Sequence, residues 1–327
     1  MSRAEHEIFD RRQLARRRDR AAPLAPAHAF LLAHIADDLA DRLSLIRRSF
    51  PLALNLGAHE GSLSRRLRGA AGIGLMIDAE MSPQLLARCD GPCVLADEER
   101  LPFRPESLDL VVSGLSLQLV NDLPGTLVQI RRALKPDGLF LAAMLGGATL
   151  TELRQAFVAA EAEVEGGASP RVAPFADVRD LGGLLQRAGF TLPVTDSDVL
   201  TVGYGSALEL MRDLRAMGAA NILHDRRRTF LRRTTLIRAV EIYAERFARA
   251  DGRVTATFEI VTLTGWAPHA NQQKPLQPGS AKARLAQALG VPEHRSGDQV
   301  DPRRSVDGGV GSRVPSAAAS PPVPERK

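Results

Sequence analysis

A doubly wound α/β fold with a mostly parallel sheet is the class that this 327-residue sequence predicts, on three observations. Short apolar runs alternate with amphipathic stretches over residues 51–148, the pattern of successive βαβ units. The first run ends in LNLGAHEG, a glycine-containing turn followed by helix-compatible sequence. Acidic residues then close the second and third runs, at Glu80 and Asp97, which such a sheet would bring to one carboxyl edge.

Taken in order, residues 10–48 are predicted to be helical. Leu31, Leu32, Ile35, Leu39, Leu43 and Ile46 recur there at steps of three and four. Strands are predicted at Leu52–Gly57, Ile73–Ile77, Cys93–Ala96, Leu108–Ser113 and Leu139–Leu145. Between the last two, Leu123, Leu127, Ile130 and Leu134 share one helical face, and Pro136 with Gly138 stops that helix. A helix from Leu150 to Val164 follows, then a loop, a helix ending at Gly189 and a run toward Leu200. Residues 203–250 read as mainly helical, and Val254–Trp266 alternates β-branched and aromatic residues as a strand does. After about Pro292 the chain turns to Pro, Ser, Gly, Ala and charge, so that tail is expected to be disordered.

Composition narrows the function classes. An apolar fraction of 44% and a charged fraction of 25% belong to a globular protein. No run approaches the roughly 20 apolar residues of a membrane span. The arginine-rich start carries Glu5, Glu7, Asp10 and Asp19 and lacks an apolar stretch, which fits neither a secretory signal nor a transit peptide. A cytoplasmic protein is therefore expected. Cys89 and Cys93 make no disulfide framework and, without a His/Cys cluster, no metal site is expected. The net charge is +5, with clusters at Arg16–Arg18, Arg226–Arg228 and Arg232–Arg233. Aromatics are 4% of the chain and are not interleaved with these clusters, so no nucleic-acid partner is expected. Solvated helix faces, or a patch for an anionic partner, account for the arginines.

Gly57 and Gly61 bracket a turn where backbone can approach a ligand and a helix N-terminus offers free N–H donors. Glu80, 19 residues beyond Gly61, can accept from two ribose hydroxyls, and Asp97 can take an adenine amino group. Each has a structural reading too: packing for Gly61, a helix N-terminal charge for Glu80, a solvated loop for Asp97. Their joint occurrence favours a nucleoside ligand.

The ordered run LNLGAHEG, MIDAEMSP, LADEERLPF, SLDLVVSGLSLQLVNDLP and RRALKPDGLFLAA resembles class I S-adenosylmethionine-dependent methyltransferases over about residues 45–148. VNDLP at Val120–Pro124, LGGATLTELR, GGASPRVAPF at Gly166–Phe175, DLGGLLQRAGF, LMRDLRAMGAAN and GWAPH resemble a narrower family. It is that of the methyltransferase-domain assembly factor of mitochondrial complex I and its alphaproteobacterial relatives, over residue 8 to about 281. The biotin-synthesis malonyl-carrier-protein O-methyltransferase is similar more distantly.

The resemblance implies a Rossmann-like class I methyltransferase sheet of seven strands, the last (Val254–Gly265) antiparallel, with a helical cap insertion at 203–250. Helices in 1–48 would close the nucleotide pocket, 49–148 would form the cofactor core, 149–268 the rest of the fold, and 269–327 an extension. It implies S-adenosylmethionine held by Asn55, Gly57, His59, Gly61, Glu80, Met81, Asp97, Glu98 and Ser113. Gln118, Asn121 and Asp122, after the fourth strand, would lie beside the reacting centre, and Asp122 is equally a helix N-cap. Ser169 and Arg171 fall in a loop that could form a lid, Met211 and Met217 fit a core, and His269 has no visible partner. Against the class pattern stand Asn55 for an acid, His59 for a glycine, Glu80 for the commoner aspartate and Leu119 for an aromatic.

Three functions remain: modification of a protein side chain on a complex I subunit, described for the family as arginine hydroxylation with the cofactor bound; carboxyl O-methylation of a small molecule or carrier protein; and a non-catalytic assembly chaperone. The late motifs between Gly166 and His269 favour the first.

Overall fold

Seven strands share one sheet: β1 (Phe50–Leu56), β2 (Ile73–Glu80), β3 (Cys93–Leu95), β4 (Leu108–Gly114), β5 (Leu134–Leu145), β6 (Thr191–Tyr204) and β7 (Val254–Trp266). Their order is β3-β2-β1-β4-β5-β7-β6 in a computed structural model that describes residues 7–69, 72–273 and 290. The first five strands are parallel, and β7 runs antiparallel to both β5 and β6. Strand order reverses between β1 and β4, which opens a crevice at their carboxyl ends.

The central strands β1, β4, β5 and β7 are apolar on both faces because both are covered. On one side Val112, Leu141 and Phe258 pack against α2 (Phe30–Ser44), α6 (Thr151–Glu165) and α9 (Arg233–Phe247) through Leu39, Ala156 and Tyr243. On the other, Leu54, Val111 and Phe140 meet α5 (Leu123–Ala133) and α7 (Val178–Arg187) through Ile130 and Leu185. The remaining helices are α1 (Arg11–Ala21), α3 (Ser62–Leu67), α4 (Pro83–Leu86) and α8 (Ala207–Ala216).

Several boundaries moved for local reasons. The helix expected over 10–48 is split by a 3₁₀ turn at Ala25–His28 with Pro26 in its first turn, since proline cannot donate to a continuing helix. Leu134, expected on the face of α5, instead begins β5 opposite Leu108, and the Lys135–Gly138 stretch is absorbed as a strand irregularity. β6 extends to Tyr204, so the helical insertion begins after it. Of that insertion, α9 is a core helix against α6, while α8 faces the crevice. The tail expected to be disordered after about Pro292 lies outside the described residues. No described helix is long and apolar enough to cross a membrane.

Candidate active site

The turn after β1 is shaped by positive-φ residues at Gly57 (+69°), His59 (+51°) and Gly61 (+83°), the last opening α3. A Cβ on Gly57 would stand 2.2 Å from Ser116, so only glycine lets the turn approach the loop after β4. Glu80, fully buried at the end of β2, anchors this edge. Its carboxylate accepts from the backbone N–H groups of His59, Met81 and Ser82, each at 3.0 Å.

Two arginines of α1 complete the cluster. Arg18, 2% exposed, donates from Nη1 to both Glu80 oxygens (2.9 and 3.2 Å) and to Glu98 (3.3 Å), and from Nη2 to Ser116 Oγ (3.2 Å). Arg11 pairs with Asp97 at 2.7 Å and with Glu98. Burial alone would raise the Glu98 carboxyl, but Arg11 and Arg18 beside it hold it down at about 2. Of the two readings of Arg16–Arg18, a solvated helix face or a patch for an anionic partner, neither holds at Arg18, which is buried against carboxylates of its own chain. Leu14, Arg18 and Ala21 share the buried face of α1 at steps of four and three, a phase visible in the sequence.

A cavity of about 360 Å³ opens against this cluster, walled by α1, α2, α6, α8 and loops 171–175 and 217–222. Most of its lining is apolar, including Leu14, Leu31, Phe157 and Phe258. Three acceptors face it. Glu60 is 2% exposed and receives one hydroxyl, from Ser62, with no cation partner among the described residues. Gln118 donates through Nε2 to the Leu115 carbonyl (2.8 Å) and leaves Oε1 buried without a partner among the described residues. His59 Nε2 is likewise buried with no partner among the described residues, and burial together with nearby Arg18 pushes this imidazole toward its neutral form.

Other expected site residues fall elsewhere. Asn121 bonds the backbone of Phe9 (2.8 and 3.1 Å), and Asp122 caps α5 through the Gly125 N–H (2.8 Å); neither lines the cavity. Asn55 is buried against Ser64 and Asp78 (3.0 and 2.9 Å), and Ser113 Oγ donates to the Leu56 carbonyl (2.7 Å). Met81 packs with the Phe9–Leu14 cluster. Ser169 Oγ bonds Glu161 at 2.9 Å, whereas Arg171 both binds Glu161 and reaches the cavity. Met211 and Met217 pack on the core and also line the cavity. His269 is exposed and accepts from the Asn271 N–H (3.2 Å).

Sequence reasoning passed over Arg11, Arg18 and Glu60, and also Asp78, the buried neighbour of Asn55 across the β1–β2 register. Asp78 brings a ligand atom within 4.8 Å of those of Cys89 and Cys93. However, its carboxylate is held by Ser64, Asn55 and Arg68, and burial pushes both thiols up, away from the thiolate a metal needs.

The residues present fit S-adenosylmethionine. The glycine turn offers close approach, and Glu80 closes β2, the position where the sequence expectation puts a ribose. One exchange would be needed there: the Glu80 oxygens already accept five hydrogen bonds from four donor groups, so ribose hydroxyls would have to replace those of Arg18.

A seven-stranded sheet with its seventh strand antiparallel, a glycine turn, an acid ending β2 and a crevice at the β1–β4 reversal define an enzyme of the methyltransferase class. Residues 54–142 match the family described as Methyltransferase domain, which bears out the S-adenosylmethionine expected from sequence. Among solved structures, BH2331 of Bacillus halodurans is 14% identical, with TM-score 0.50 over 71% of this chain and 100% of that one. YcgJ of Bacillus subtilis is 11% identical, with TM-score 0.51 over 72% and 99%. Both show the shared fold.

Arginine-hydroxylase NDUFAF5, mitochondrial, of Danio rerio is 42% identical over 87% of this chain and 90% of its own length. The Homo sapiens protein of that name is 42% identical over 84% and 81%. The chain belongs to this arginine-hydroxylase family. Malonyl-[acyl-carrier protein] O-methyltransferase of Halorhodospira halophila is more distant, 35% identical over 84% and 94%.

These relatives overturn the cytoplasmic expectation, because they are named as mitochondrial. That expectation took the acids of the arginine-rich start as excluding a transit peptide, but residues 11–21 form a helix docked on the buried cluster, so their composition reports on folding and not on compartment.

Proposed function

We propose that this enzyme modifies an arginine side chain of a protein partner during assembly of respiratory complex I. Family membership at 42% identity supports the arginine, and the resemblance to the complex I assembly factor supports the setting. The structural observation that carries the reading is Glu60, a buried carboxylate with no cation partner among the described residues, on the wall of an apolar cavity. A buried charge is costly unless paired. A guanidinium brings a positive charge, five N–H donors and no acceptor, which matches Glu60, Gln118 Oε1 and a neutral His59. The apolar walls would take the side-chain stem and exclude water.

S-adenosylmethionine, held by the Gly57–Gly61 turn and Glu80, would bring a sulfonium-activated methyl group to this edge. Gln118 would then orient the guanidinium, while Asn121, bonded to the Phe9 backbone, and Asp122, capping α5, would hold the loop that carries Gln118. Residues 49–148 would be the cofactor half, with α8 and its following loop as the substrate-side cap.

Mass spectrometry of complex I subunits from cells with and without the protein tests this. An arginine gaining one oxygen or one methyl group only when the protein is present is expected. Identical arginine spectra in both would refute the reading. Carrier-protein O-methylation, favoured by the 35% identical relatives, would present a malonyl carboxylate to Glu60, and like charges repel there.

A further inference from the structure

A second cavity, of about 370 Å³, opens beside the first and is lined by Arg17, Arg171, Asn221, Arg226, Arg227 and Arg228. Arg171 and Asn221 belong to both linings, so the two spaces share a wall. Five cations stand here against three paired carboxylates: Arg171 with Glu161, Arg226 with Asp10, and Arg227 with Glu165. Arg17 and Arg228 have no carboxylate partner among the described residues. Arg17 carries the strain of this imbalance, its guanidinium pulled below the usual arginine range by burial and then by Arg226, Arg20 and Arg215.

The arginines are brought together from far apart in the chain: α1, the loop after α6, and the loop between α8 and α9. Fold topology, and no single charged stripe, therefore builds the concentration of charge. Phe230, 99% exposed, stands two residues beyond Arg228. An aromatic left in water beside cations suits a protein surface better than a free inorganic ion.

We propose that this arginine-lined cavity is an anion subsite for acidic side chains of the protein segment whose arginine enters the neighbouring cavity. The inference rests on the proposed arginine-modifying function. Opposite charges then sort along one peptide: its guanidinium goes to Glu60, and an Asp or Glu a few residues away goes to Arg17 and Arg228. The carboxylate is held bidentately by a guanidinium fork, and the pairing sets the register in which the target arginine is presented.

Fluorescence anisotropy on the full chain tests the subsite with three labelled probes: an arginine-centred nonapeptide flanked by glutamates, the same peptide flanked by glutamines, and hexaglutamate. The glutamate-flanked peptide is expected to bind roughly fivefold to tenfold more tightly than its glutamine twin, an advantage that fades with salt. The double variant Arg17→Gln/Arg228→Gln leaves every observed ion pair intact. It should erase that advantage and hexaglutamate binding while S-adenosylmethionine affinity stays unchanged. Equal binding of the two nonapeptides, or an advantage that survives in the variant, overturns the proposal. Displacement of the acidic peptide by inorganic phosphate, at concentrations where chloride has no effect, would make this a phosphate site and also overturn it. If hexaglutamate binds and neither nonapeptide does, the arginine reading fails and the anion subsite stands.

Discussion

Glu80→Ala is the substitution that separates the structural role of the cofactor edge from its ligand role. It removes the acceptor for three backbone N–H groups at 3.0 Å and leaves Arg18, 2% exposed, short of one of its two carboxylates. Breaking a buried ion pair by deleting one partner costs about 3–5 kcal/mol. Glu98 at 3.3 Å and Ser116 at 3.2 Å still hold the guanidinium, which places the expected loss near the lower bound, about 3 kcal/mol. In a domain of this size that lowers Tm by roughly 6–12 °C. Glu80→Gln keeps an acceptor oxygen for the backbone donors and should lose about half as much. Thermal denaturation followed by circular dichroism at neutral pH gives the comparison, with urea unfolding to check that the slope m is unchanged. A Glu80→Ala melting temperature within about 2 °C of the parent would refute the reasoning. The cluster would then be ornamental, and any loss of S-adenosylmethionine binding would belong to the proposed ribose contact alone.

The same cluster has an acid limit. Glu98 is held at about 2 against an ordinary value of 4.5, so its contribution is fully present above pH 4.5 and is lost as pH falls toward 2. That contribution is about 3 kcal/mol; Glu98→Gln should flatten the stability–pH curve in that window, and an unchanged slope would remove the ion pairs as its cause. Gly57→Ala places a Cβ 2.2 Å from Ser116 at φ +69° and should destabilise by about 2 kcal/mol or more, part of it restored by Ser116→Gly in the double variant. Glu60→Gln should leave Tm near the parent, weaken binding of an arginine peptide about tenfold and hold S-adenosylmethionine affinity within about twofold by titration calorimetry. The reverse pattern would assign Glu60 to the cofactor.

What the sequence determined by itself was the sheet and its ligand edge. β4 and the carboxyl halves of β1, β2 and β5 are buried, so their apolar runs had to be short and continuous. Gly57 and Gly61 stand where the backbone turns through positive φ, and Glu80 closes β2, so each was legible from residue type and order. What only the tertiary structure decided was the partner of each charge. Arg18 meets Glu80 across 62 residues, Arg227 meets Glu165 across 62, and Asn121 is claimed by the backbone of Phe9 across 112. Glu60 became a candidate through the opposite outcome, a buried carboxylate that no described cation reaches. Periodicity records which face of an element is apolar, because burial follows the local geometry of helix and strand. Pairing of charges depends on which elements the folded chain sets side by side, and no local spacing encodes that.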